Sequence, residues 1–163
     1  MKVLGVDPGL RVSGYAVIAP GRGGVRVLDA GTIRAEENLP LAQRLQQIYI
    51  DADALLSEQE PDVMAVEELY SHYKHPRTAI LMGHARSMFL LAAARQGIEV
   101  RDFSATRIKK SVTGNGHAGK EQMQRAVQTQ LQLAEIPEPA DVADALAIAM
   151  CCFTELSKPN LKV

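Results

Sequence analysis

A chain of 163 residues, 47% of them hydrophobic, is long enough to close one full core and needs no second domain. It has no run of about 18 or more apolar residues and no basic-then-apolar leader, so the expectation is a cytoplasmic protein without a membrane span. The net charge of −1 argues against a generic polyanion binder, and the two adjacent cysteines, Cys151 and Cys152, suit reduced core thiols better than a disulfide framework or a metal knuckle.

Residues 1–19, MKVLGVDPGLRVSGYAVIA, open with two runs of strand type. Val3, Leu4 and Val6 form the first, Pro8-Gly9 breaks it, and residues 14–18 form the second. Asp7 therefore stands at a strand end, where the sheet holds the backbone and the turn leaves the carboxylate open to solvent, metal or ligand. A turn Asp bonding its own backbone is the plain alternative. Residues 21–24 make a turn and residues 25–34 alternate as a third strand, which completes an antiparallel meander. Asn38 and Pro40 announce a long amphipathic helix that carries Leu41, Leu45, Ile48, Ala52, Leu55 and Leu56 on one face and ends at Pro61. The apolar run 63–66 suits a buried strand. It ends in Glu67-Glu68, an acid placed as Asp7 is placed.

Residues 69–77, LYSHYKHPR, form a loop with two tyrosines and several potential cations. Thr78 is the expected cap of a helix over residues 78–96 with Gly97 at its stop. That helix is apolar nearly all round, which implies deep burial or sharing with a second subunit. A fifth strand follows over residues 98–103, then a short basic helix over 105–112. The Gly-rich loop 113–119, TGNGHAG, is not expected to be rigid on its own. Two helices, residues 120–134 and 141–156, complete a single α/β domain over residues 1–156, and residues 157–163 read as a flexible tail.

Charge is unevenly placed. Residues 71–125 hold ten Lys or Arg against three acids, a balance of +7, and all four histidines, while the remainder carries −8. A basic central segment with acids elsewhere is the footprint of a phosphate-binding face beside a cation site; solvated helix faces are the plain alternative. Asp141 and Asp144, three residues apart at a helix start, project from one face near its positive end. With Asp7 and Glu67 they make an oxygen-donor set suited to hard divalent cations, and no Cys or His spacing suggests zinc. Two such cations about 4 Å apart activate a water and stabilise the leaving oxygen in phosphodiester hydrolysis. Without cations the cluster repels itself.

The strings VLGVDPGLRVSGYAVI, AVEELY, RIKKSVTGNGHAGKEQ and ADVADALAIA, in this order and at these separations, resemble the RuvC family of Holliday junction resolvases from Met1 to about Cys152. The resemblance implies an RNase H-like fold whose five-stranded mixed sheet, three antiparallel strands then two parallel, is flanked by helices. It implies a homodimer that nicks two opposed strands of a four-way DNA junction and leaves 5′-phosphate and 3′-hydroxyl ends. The implied cofactor is Mg2+ or Mn2+, two ions per subunit, and the implied partner is a RuvA-RuvB branch-migration complex. Family catalytic and metal-binding acids carry over as Asp7, Glu67, Asp141 and Asp144. Some relatives use His near Asp141, which leaves that residue open as direct ligand or base, and Glu68 is a neighbour in charge only. The family aromatic after the strand-end Glu matches Tyr70, and family lysines that hold DNA phosphates match Lys109 and Lys120. Tyr73, Lys74, Arg77 and Lys110 complete the expected DNA-binding set. Three alternatives stand beside this reading: an RNase H-like nuclease of ribosomal RNA precursors, a nucleotide-binding ATPase or kinase lobe, and a catalytically silent DNA-binding dimer.

Overall fold

The structure, a computed structural model, describes residues 1–69 and 76–158. β1 (Val3–Asp7) pairs antiparallel with β2 (Val12–Gly21) and parallel with β4 (Val63–Glu67). β3 (Gly24–Arg34) pairs antiparallel with β2, and β5 (Glu99–Phe103) parallel with β4. The resulting order is β3-β2-β1-β4-β5, the mixed sheet of an RNase H-like fold, with β1 at its centre.

Alternation along the strands decides which helices cover which face. Val3, Ala16, Ile18, Val63 and Ala65 point to one side, against α5 (Ala140–Leu156), α3 (Ala105–Thr113) and α4 (Lys120–Gln130). Leu4, Val6, Val17 and Met64 point to the other, against α1 (Leu41–Gln59) and α2 (Pro76–Arg95). Val3, Leu4 and Val6 are wholly buried, so β1 is covered on both faces. Gly5 is what lets α5 approach. A Cβ there would overlap the Ala145 carbonyl oxygen and crowd Ala149.

Several boundaries differ from the sequence expectation. β2 is longer than residues 14–18, because β3 pairs with it as far as Gly21. Pro20 is tolerated there since pairing with β1 stops at Ile18. α2 starts at Pro76, a residue suited to a first helical position, so Thr78 lies inside the helix and does not cap it. α4 ends at Gln130, four residues early; Gln132 takes a left-handed conformation and the Leu133 amide returns to the Gln128 carbonyl at 3.0 Å. The Gly-rich loop is tied by its own polar groups. Thr113 Oγ1 donates to the Lys109 carbonyl at 2.8 Å and accepts from the Asn115 amide at 3.1 Å, while Asn115 Oδ1 accepts from the His117 amide at 3.0 Å. Cys151 and Cys152 are buried free thiols, and burial pushes both pKa values up, that of Cys152 to about 11. No helix among the described residues is long and apolar enough to cross a membrane.

Candidate active site

β1 and β4 run parallel and in register, with Val6 opposite Val66. The next residues, Asp7 and Glu67, therefore end neighbouring strands side by side, about 4.8 Å apart in the sheet. By alternation both carboxylates leave the sheet on the α5 side, as Gly5 and Ala65 do. α5 brings the second pair of acids to that side. Its start is fixed by Gly14, which pairs with Asp7 across the hairpin and lies so close to Asp141 that a Cβ would overlap the Asp141 carbonyl.

The loop after Asp7 is held by one buried hydroxyl. Ser13, 1% exposed, donates through Oγ to the Gly9 carbonyl at 2.9 Å and accepts from the Gly9 amide at 3.0 Å. This satisfies both backbone groups of Gly9 at a turn that would otherwise leave them unpaired. On the neighbouring strand end, Arg86 of α2 donates through Nε to the Glu67 carbonyl at 3.3 Å and forms an ion pair with Asp102 of β5. Neither Ser13 nor Arg86 is among the sequence candidates. The usable signal was an arginine midway along an Ala- and Leu-rich helix; a serine between strand residues carries none.

Two cavities meet at Glu67. One, of about 540 Å3, is lined by Asp7, Glu67 and Glu68 with an apolar wall of Leu69, Ala79 and Met82. The other, of about 250 Å3, is lined by Glu67, Asp144, Lys109 of α3 and Lys120 of α4. Asp141 lines a third, with Gly9, Arg11 and Arg44, and its charge still raises both Asp7 and Asp144, in keeping with the common face expected from the spacing of the two α5 acids. Arg44 bonds the Leu10 carbonyl at 2.7 Å, and its buried Nε has no hydrogen-bond partner among the described residues. Lys110, one residue beyond Lys109, points away from the acids. Arg77 is exposed at the start of α2, while Tyr70, Tyr73 and Lys74 lie outside the described residues.

The acids perturb one another. Burial, then Asp144, Asp141 and Glu67, push the Asp7 pKa up to about 7 against the pull of Lys120. Burial and Asp144 raise Glu67, opposed by Lys109; burial raises Asp144, with Asp141 adding to the rise and both lysines opposing it. Among the described residues none of the four acids has an ion-pair partner within 4.0 Å. Nor do three Asp, Glu, His or Cys side chains there already meet at metal-ligand spacing. The donor set still fits a hard divalent cation. It is all carboxylate oxygen, and the raised Asp7 pKa records negative charge that a cation would relieve.

Comparison with known proteins points the same way. The family model described as crossover junction endodeoxyribonuclease RuvC matches residues 3–152. The crossover junction endodeoxyribonuclease RuvC of Rhodopirellula baltica is 50% identical over 151 residues, covering 91% of this chain and 84% of the relative. The solved structure of Thermus thermophilus RuvC in complex with a Holliday junction substrate superposes with a TM-score of 0.85 at 32% identity, over 93% of this chain and 92% of that one. The yeast mitochondrial Holliday junction resolvase Ydc2 shares the fold, with a TM-score of 0.65 at 15% identity over 91% of this chain and 76% of that one.

Proposed function

Because this chain belongs to the RuvC family of crossover junction endodeoxyribonucleases, we propose that it resolves four-way DNA junctions by metal-dependent hydrolysis of two opposed phosphodiester bonds. The observation that carries this reading is the side-by-side placement of Asp7 and Glu67 on in-register parallel strands, with Asp144, Lys109 and Lys120 around the adjoining cavity. Asp7, Glu67 and Asp144 are the proposed holders of Mg2+ or Mn2+, two ions per subunit. Asp141, whose charge acts on both Asp7 and Asp144, is the proposed fourth acid of the set, as a direct ligand or as the base. When bound, the ions supply an activated water and neutralise charge on the leaving oxygen.

The chain's own residues position the DNA. Lys109 and Lys120, both beside the acids, suit the non-bridging oxygens of the scissile phosphate. The apolar wall of Leu69, Ala79 and Met82 offers a surface for a base or sugar next to that phosphate. Ser13 and Arg86 act through other residues and keep the two strand ends from drifting. Tyr70, Tyr73, Lys74 and Arg77 are the proposed contacts to strands near the crossover, with Tyr70 stacking on an unpaired base. A symmetric dimer through α2 would present two such sites to a two-fold junction, delivered by a RuvA-RuvB complex.

A synthetic four-way junction incubated with the protein and Mg2+ or Mn2+ should yield paired symmetric nicks with 5′-phosphate ends. Asp7→Asn, Glu67→Gln and Asp144→Asn should each lose at least 100-fold in cleavage rate, roughly the scale for removing one charge-stabilising group, yet still bind the junction. Turnover retained in Asp7→Asn would sink the assignment.

A further inference from the structure

α3 presents cations to two sides. Lys109 faces the acids, whereas Arg107, Lys110 and Ser111 line a separate cavity of about 340 Å3, closed by Cys151, Thr154, Glu155 and Lys158 near the end of α5. The two cavities have no lining residue in common. They lie across a helix about 10 Å wide, and Cys151 is two turns, about 10 Å, beyond Asp144 along α5.

Three cations and one carboxylate surround this second volume. The carboxylate is already engaged, because Glu155 pairs with Arg107 and, at 3.7 Å, with Arg101. Lys110 and Lys158 enter no ion pair among the described residues. The cations converge. Although burial dominates and raises the Cys151 thiol, Arg107 and Lys158 both act on it in the opposite sense, and the Ser111 hydroxyl lies beside it. Ser111 and Thr154 add neutral hydroxyl donors to the lining. Surplus positive charge around hydroxyls in a concave volume repels metal ions and suits a phosphate group, whose oxygens accept from both kinds of donor.

We propose that the Arg107, Lys110 and Lys158 cavity is a second phosphate-binding site, taking a backbone phosphate of a DNA arm while the acid cavity holds the scissile one. The choice of DNA as the source of that phosphate rests on the nuclease reading; the phosphate chemistry does not. Lys109 and Lys110 would then serve two different phosphates from adjacent positions.

The test compares the parent protein with Lys110→Ala/Lys158→Ala, measuring four-way junction binding from 50 to 200 mM salt without divalent metal, so that no strand is cut. Loss of one phosphate contact should lower the slope of log affinity against log salt by about 1 per subunit, which is roughly a threefold smaller fall in affinity over that range. Lys110→Arg/Lys158→Arg should retain the parent slope. In a second arm without DNA, inorganic phosphate should shift the Ser111 and Thr154 amide resonances saturably in the parent and not in the alanine variant. Saturation with an unchanged DNA slope keeps the phosphate site and overturns DNA as its source. An unchanged slope with no saturable shift overturns the site altogether. If the parent leaves junctions uncut under every divalent metal, the nuclease reading fails, and the phosphate arm still reports on the cavity.

Discussion

Without cations, burial and its neighbouring carboxylates push the Asp7 pKa from 3.8 to about 7. Between those values the folded protein holds a proton that the unfolded chain has released. The contribution of Asp7 to the stability of the metal-free protein should therefore be greatest below about pH 4, fall as pH rises towards 7, and level off above it. The ceiling on this effect is about 4 kcal/mol, since each tenfold difference in proton affinity between folded and unfolded chain is about 1.4 kcal/mol. Thermal melts in chelator from pH 4 to 8 should show the decline, and Asp7→Asn should flatten it; an equal decline in both proteins would place the effect elsewhere. Cation binding competes with the same proton, so cleavage at limiting Mg2+ should weaken below pH 7 and recover as the metal is raised. Ser13→Ala should cost about 1–3 kcal/mol, since it leaves the Gly9 amide and carbonyl without their partner, and should slow cleavage by loosening the Asp7 turn. Melting and single-turnover rates on one preparation would separate the two losses.

Strand and helix contribute to the acid group through different periodicities, and this decides how much of it the sequence could disclose. Asp7 and Glu67 were legible because each closes an apolar run, and a period of two with matched register leaves one outcome for their direction. Asp141 and Asp144 were legible as a pair about 60° apart on one helix face, but not in where that face would sit. Asp144 lines the cavity with Lys109 and Asp141 the one with Arg44, and only the seat of α5 on the sheet selects these neighbours. Lys109 and Lys110, about 100° apart around α3, line different cavities. The seat itself depends on Gly5, a position that reads as an ordinary strand residue until Ala145 and Ala149 are packed against it. Gly5→Ala should cost about 1–3 kcal/mol by forcing α5 away from β1, and should impair cleavage more than junction binding because both α5 acids move. Arg86→Ala tests the other strand end: a raised metal requirement with junction affinity kept, and partial rescue by Arg86→Lys, is the expected pattern.

For the molecule as a whole, the individual strands and helices followed from hydrophobic pattern and turn residues and the mixed sheet from the family resemblance, while α2, apolar nearly all round, was the expected seat of assembly. α2 gives Ala85, Phe89, Ala92 and Ala93 to the core yet leaves Ile80 60% and Leu91 48% exposed. These two are eleven residues apart, about three turns, and share one face. Leu91→Glu should therefore leave the fold intact while giving a monomer that nicks once and does not resolve; sedimentation of parent and variant at micromolar concentration decides it. A parent that sediments as a monomer on the junction would overturn this geometry. The central position of β1 has a kinetic meaning as well. Paired on both edges and covered on both faces, it offers no small opening through which its amides could reach water. Amide hydrogens from Leu4 to Val6 should exchange only at the rate of global unfolding, while the Gly-rich loop at residues 113–119 exchanges through local fluctuation. Asp7, carried at the tip of the slowest-exchanging strand, would then keep its place through every excursion of the chain short of complete unfolding, and metal would come and go around a carboxylate that does not move.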